Sequence, residues 1–197
     1  MQVLLATGNE GKAREFSELL PFVEFLTLKD FPGYPAIIED GHTFEENALK
    51  KARIMCDYTG LVTLADDSGL EVDYLEGAPG IYSARFAGEP GNDDRNNMKL
   101  LELMKGIPKE KRTARFVCAL ALVMPDGTEQ VVRGTCEGYI LEKLRGNQGF
   151  GYDPLFYYPP LDSSFGQLDG AAKNHISHRA KAIQEASQIL KSVIVGK

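Results

Sequence analysis

Four acids, Asp66, Asp67, Glu71 and Asp73, stand within eight residues of one another, directly after the apolar run Leu61–Ala65. Carboxylates this close repel unless a cation or a proton sits among them. Asp66 and Asp67 are adjacent, so on an extended strand their side chains face opposite ways. A carboxylate projecting from a strand end could bind Mg²⁺, which takes oxygen ligands and keeps several waters. It could equally orient or deprotonate a water held by that ion. The same pair would also serve to satisfy turn N–H groups before Gly69, and the residues alone do not separate these readings. Glu39, in a loop, has no local task. Glu46 has one, as the third helical residue after Thr43 in a capping box.

Three further stretches carry chemistry-bearing residues. In Leu4–Lys12 a strand runs into a turn, Thr7-Gly8-Asn9-Glu10-Gly11, with Lys12 at the start of a helix. Backbone N–H groups there can cradle phosphate, with Lys12 as an added charge. Only two residues separate Gly8 from Gly11 and no Ser or Thr follows Lys12, so the Walker A pattern is not met. A tight βα turn fits equally well. In Gly146–Pro154, glycines expose backbone donors while Phe150 and Tyr152 offer faces for a base to stack on, and Asp153 could accept from ring N–H groups. An aromatic-anchored loop is the alternative. In Lys173–Ala182, the cations Lys173, His175, His178 and Arg179 gather at an expected helix start, against the dipole preference, which favours binding over capping. No Cys or acid completes a zinc site there, and Ser68 lacks a nucleophile elbow. Together these residues point to metal-assisted water attack on a phosphorylated, base-containing small molecule.

The elements that must position them follow from periodicity. Val3–Ala6 is an expected strand, Lys12–Leu20 a helix stopped by Pro21, and Phe22–Leu28 a second strand. Phe31–Gly41 is a loop, and the Thr43 capping box opens a helix with Phe44, Ala48, Ala52 and Met55 on one face. Leu61–Ala65 is a buried strand, continued after the Ser68-Gly69 turn by a short one, Gly69–Asp73. Gly77–Gly91 is a structured loop, and Asp93 or Asp94 caps the next helix, which ends at Gly106. Arg115–Met124 and Glu129–Cys136 form a hairpin about Asp126-Gly127. Ser177 to about Val195 is the last helix, with Ile183, Ala186, Leu190 and Ile194 facing the core. The fold class is α/β with a mixed sheet, in a single domain spanning residues 1–197, the β-rich middle being a candidate second lobe with no linker.

Composition bounds the partners. A net charge of −6 argues against a general nucleic-acid surface, and no stretch approaches the roughly 20 apolar residues that span a bilayer. The start of the chain has no signal-peptide pattern. Cys56, Cys118 and Cys136 lie in apolar segments, as expected of reduced thiols in a cytoplasm.

These segments, in this order, resemble the inosine triphosphate pyrophosphatase family, the non-canonical purine NTP pyrophosphatases. The resemblance lies in Ala6-Thr7-Gly8-Asn9 to Lys12, Thr43-Phe44 with Glu46-Asn47-Ala48, and Ala65–Leu70. It continues in Gly77–Gly80 with Tyr82–Arg85, Gly149–Pro154 and Ile176–Arg179, over nearly the whole chain. It implies an elongated mixed β-sheet flanked by helices, with two lobes and an active-site cleft between them, in a homodimer. It also implies Mg²⁺-dependent hydrolysis of ITP, dITP and XTP to monophosphate and pyrophosphate, which removes deaminated purines from nucleotide pools. Carried over by position, Thr7, Gly8, Asn9, Glu10, Gly11 and Lys12 would hold the triphosphate. Asp67 would be general base and metal ligand, Ser68 a substrate contact, and Glu39 or Glu46 a further acid at the metal. Phe150, Gly151, Tyr152 and Asp153, with Lys173, His178 and Arg179, would form the base pocket. Donors such as Arg179 or backbone N–H groups would donate to the purine six-carbonyl and leave adenine's amino group unpaired. The family usually has Phe-Ala-Glu-Leu and then acids before the lysine, where this chain has Phe165-Gly166-Gln167-Leu168 and then Asp169-Gly170. Two rival readings are a pyrophosphatase for other modified nucleotides and a nucleotide sensor without turnover.

Overall fold

The computed structural model describes residues 2–88 and 91–195. Seven strands form one mixed sheet in the order β2-β1-β3-β4-β5-β6-β7. They are β1 (Gln2–Leu5), β2 (Glu24–Thr27), β3 (Thr63–Val72), β4 (Thr113–Val123), β5 (Glu129–Ile140), β6 (Phe156–Tyr158) and β7 (Ser163–Ser164). The helices are α1 (Glu10–Leu19), α2 (Phe44–Thr59), α3 (Asp93–Leu103), α4 (Gly170–Ile176) and α5 (His178–Val195). β1 is parallel to both β2 and β3, with Leu4 opposite Leu26 on one side and Thr63 on the other. β5–β6 and β6–β7 are antiparallel. The expected hairpin is β4–β5, closed by Gly127 N–H donating to the Met124 carbonyl.

The chain divides into two compact units. The first comprises Met1–Asp67, Cys118–Gly134 and Arg179–Lys197, and the second Ser68–Val117 and Thr135–His178. Each has its own apolar core. That of the first gathers Val3, Leu5, Phe16, Leu64, Leu120 and Leu190, so β1, β3, β4, α1 and α5 all contribute. That of the second gathers Leu70, Leu100, Phe116, Phe156 and Phe165, with rings of Phe116 and Phe156 4.6 Å apart. On α5, Ile183, Ala186 and Leu190 are buried as expected, while Ile194 lies outside the described side chains. Glu89 and Pro90 of the expected Gly77–Gly91 loop lie outside the described residues.

Three local expectations are corrected. β3 runs unbroken through Ser68-Gly69, where a turn was expected, so Asp66 and Asp67 sit mid-strand. The strand tolerates two buried carboxylates because cations face them, as shown below. The helix expected to be capped by Asp93 or Asp94 is capped by Asn92, whose side chain accepts from Arg95 N–H. Finally, Lys173 and His175 belong to the last turn of a separate helix, α4, capped by Asp169, and only His178 and Arg179 stand at the start of α5. Cations in a last turn agree with the dipole. Ser177 is extended, with ψ 157°, and separates the two helices.

Candidate active site

The opening acid cluster separates into two groups with different partners. Within the second unit, Arg115 lies 3.0 Å from Asp73 and 3.6 Å from Glu71, and Thr113 donates to Asp73. Those two acids are a surface ion-pair network. Asp66 and Asp67, in the first unit, are buried.

Asp66 faces α1. Asn9 caps that helix by accepting from Lys12 N–H, and its own N–H bonds to Thr7 Oγ1 at 3.2 Å. Lys12 Nζ then lies 2.9 Å from Asp66 Oδ2. The Arg179 guanidinium is 3.5 Å from the same oxygen and is also bonded to Glu15. Burial opposes charge on Asp66, but Lys12, Arg179 and Lys51 outweigh it and hold the carboxyl well below its usual range. Asp66 is thus a fixed anion that anchors Lys12. Glu10 points elsewhere, its exposed carboxylate pairing with Lys29 at 2.8 Å, so only its backbone could serve a phosphate.

Asp67 faces α2. Its Oδ2 accepts from Asn47 Nδ2 at 3.0 Å, and its Oδ1 lies 3.9 Å from Lys51 Nζ. Here burial prevails over the attraction of Lys51 and Lys12, and the carboxyl is raised above the ordinary aspartate value. A raised carboxylate is a stronger base than an exposed one. Lys51 also binds Glu39 at 2.5 Å, so one ammonium brings Glu39 and Asp67 to a common point. Asn47 is fixed in turn. Its Oδ1 accepts from Gly41 N–H at 2.8 Å, and a Cβ at Gly41 would stand only 2.7 Å from that oxygen. The amide must therefore present its NH₂ to Asp67. Glu46 is committed to the start of α2, accepting from His42 N–H at 2.7 Å.

Within the second unit, Asp153 organises the aromatic loop. Its Oδ2 accepts from Phe150 N–H at 3.0 Å and from Lys173 Nζ at 2.6 Å. Lys173 Nζ stands 4.5 Å from the Phe150 ring centre, a cation–π contact. Gly149 has φ +75°, and a Cβ there would sit 2.0 Å from Asp153 Oδ2, so no other residue fits the turn. Tyr152 is buried and donates to the Ser83 carbonyl, burial raising its phenol. His178 stacks on Phe116 at 4.8 Å. Gln167 closes a short turn by accepting from Ser164 N–H at 3.1 Å, which an amide does as well as a carboxylate. Ser68, half-buried, follows Asp67 on β3.

The sequence reading missed Glu15, Asn47 and Lys51. A signal was present for two of them. Asn47 and Lys51 are four apart on the face of α2 that also carries Phe44, Ala48, Ala52 and Met55, all buried. Polar residues on a core stripe need a partner.

The pattern of the Ham1 family matches residues 3–189. The chain belongs to the Ham1 family. It is 51% identical over 197 residues to the dITP/XTP pyrophosphatase of Desulforamulus reducens, covering 99% of this chain and 98% of that protein. It is 48% identical over 184 residues to the dITP/XTP pyrophosphatase of Geobacter sulfurreducens, covering 92% of each. Among solved structures, the Ham1 protein of Staphylococcus aureus superposes with a TM-score of 0.88 at 38% identity, covering 98% of this chain and 99% of that one. Ham1 relatives thus share the seven-stranded mixed sheet along nearly its full length. No helix among the described residues is long and apolar enough to cross a membrane.

Proposed function

We propose that this Ham1 protein is a nucleoside-triphosphate pyrophosphatase that hydrolyses non-canonical purine nucleotides, ITP, dITP and XTP, to the monophosphate and pyrophosphate. The observation that carries the reading is the pair of adjacent buried carboxylates that their surroundings shift in opposite directions. Asp66 is neutralised by Lys12 and Arg179, whereas Asp67, its carboxyl raised by burial, is positioned by Asn47. A fixed anion holding a phosphate-binding lysine beside a base is the division of labour that water attack on a phosphoanhydride requires.

In this reading Thr7–Lys12 hold the triphosphate through backbone N–H groups and the Lys12 ammonium. Asp67 accepts a proton from the attacking water. The donor set suits Mg²⁺, which binds one or two carboxylates together with substrate phosphates. Asp67 and Glu39 already share one cation in Lys51 and would hold the ion, Glu46 being occupied at its helix end. When bound, the ion would neutralise charge on the phosphate oxygens. Phe150 would stack on the base, with Lys173 and loop N–H groups as donors to a six-carbonyl. Arg179 and His178 are buried and would act by holding their neighbours. The reading carries with it a homodimer in the cytoplasm, and the buried cysteines Cys56, Cys118 and Cys136 suit a reducing compartment.

The test is a panel of ITP, dITP, XTP, GTP, ATP and dUTP with Mg²⁺. We expect kcat/KM for ITP and XTP to exceed that for ATP by more than about tenfold, the scale of leaving a buried donor unmatched. Chelation should abolish turnover and added Mg²⁺ restore it. Preference for dUTP would transfer the enzyme to another modified nucleotide, and binding without turnover would make it a sensor.

A further inference from the structure

The aromatic loop is held from outside by α3, whose polar first turns the reaction leaves unused. Because Asn92 caps the helix, the Asp93 carboxylate is released from that task, and its Oδ2 accepts from Gly151 N–H at 2.6 Å. One turn later, buried Asn97 donates through Nδ2 to the Gly151 carbonyl at 2.9 Å. Residues four apart share a helix face, so a single residue of the loop has both its backbone groups taken by one side of α3. Gly151 has φ +62°, and holding its N–H and its carbonyl together fixes the two peptide planes that aim Phe150 and Tyr152. The brace extends further. Neighbouring Asn96 accepts from Ala87 N–H at 2.7 Å and donates to the Ala84 carbonyl, next to Ser83, whose carbonyl receives the Tyr152 hydroxyl at 2.8 Å.

We infer that Asp93 and Asn97 are positioning residues for base recognition. They set the pitch of the Gly149–Asp153 loop and so the relation of the Phe150 face to the Lys173–Asp153 pair. This rests on the reading that the loop takes the purine. Their effect falls on KM and on the choice of base, because both side chains bond to the loop itself and the proposed proton transfer belongs to Asp67.

The test is steady-state kinetics with ITP and ATP on Asp93→Ala, Asp93→Asn, Asn97→Ala and Asn97→Asp, with Phe150→Ala as a direct probe of the loop and thermal melting as a check of folding. Asp93→Ala and Asn97→Ala should raise KM for ITP about tenfold, the loss of one well-formed hydrogen bond, with kcat within about threefold. Their ITP-over-ATP ratio should narrow. Asp93→Asn keeps an acceptor for Gly151 N–H and should stay near the wild type, which separates the bond from the charge. Asn97→Asp sets a carboxylate oxygen against the Gly151 carbonyl and should be worse than Asn97→Ala. Unchanged KM and selectivity in the alanine variants, beside a clear defect in Phe150→Ala, would overturn the clamp alone. A loss of kcat at unchanged KM would overturn it too. If Phe150→Ala also left both quantities unchanged, the base-pocket reading would fall, and the inference with it.

Discussion

Asp67→Asn is expected to bind ITP about as well as the wild type and to turn it over at least about a hundredfold more slowly, the usual effect of losing a general base. The substitution is mild structurally. An asparagine oxygen can still accept from Asn47 Nδ2, which the Gly41 N–H holds in place. Removing a carboxylate that burial had already pushed toward protonation also relieves a desolvation cost, so the variant should fold. What is lost is the proton acceptor, together with one of the two carboxylates proposed to hold the ion. Retained affinity with lost turnover, measured by isothermal titration and by a single-turnover quench, would also dispose of the sensor reading. Wild-type turnover in the variant would remove Asp67 from the base role.

Lys12→Met should lower kcat/KM by about two to three orders of magnitude, the scale seen when one donor to a developing anion is deleted. Lys12 neutralises Asp66 and, in the proposed reading, also holds a phosphate at the start of α1. The double variant Lys12→Met, Asp66→Asn separates them. Replacing both partners spares the fold an uncompensated buried charge. It should therefore recover thermal stability relative to Lys12→Met while remaining inactive. Recovery of activity together with stability would mean that Lys12 acts only through the fold.

What was legible in the sequence was what neighbours in the chain decide. The Thr43 cap, the Asp126-Gly127 hairpin and the α5 core stripe rest on local spacing, and the structure contains them. The continuity of β3 was not legible, because Asp66 is tolerable mid-strand only through Lys12 and Arg179, far off in sequence. For the same reason four crowded acids suggested one cluster, while tertiary structure gives Glu71 and Asp73 to Arg115 and buries Asp66 and Asp67. Arg179 illustrates the limit best. Its position at a helix start gave no sign that its guanidinium, 1% exposed, is bound to Glu15 beside Asp66. Glu15 lies in an amphipathic helix and gives no sign of that partnership in the sequence.

In the proposed reaction, water attack separates pyrophosphate from a nucleoside monophosphate. Following ITP turnover with Mg²⁺ by phosphorus NMR tests it most directly. IMP and pyrophosphate should appear together in equal amounts from the first time point. Orthophosphate with IDP would place the attack at the terminal phosphate and contradict it.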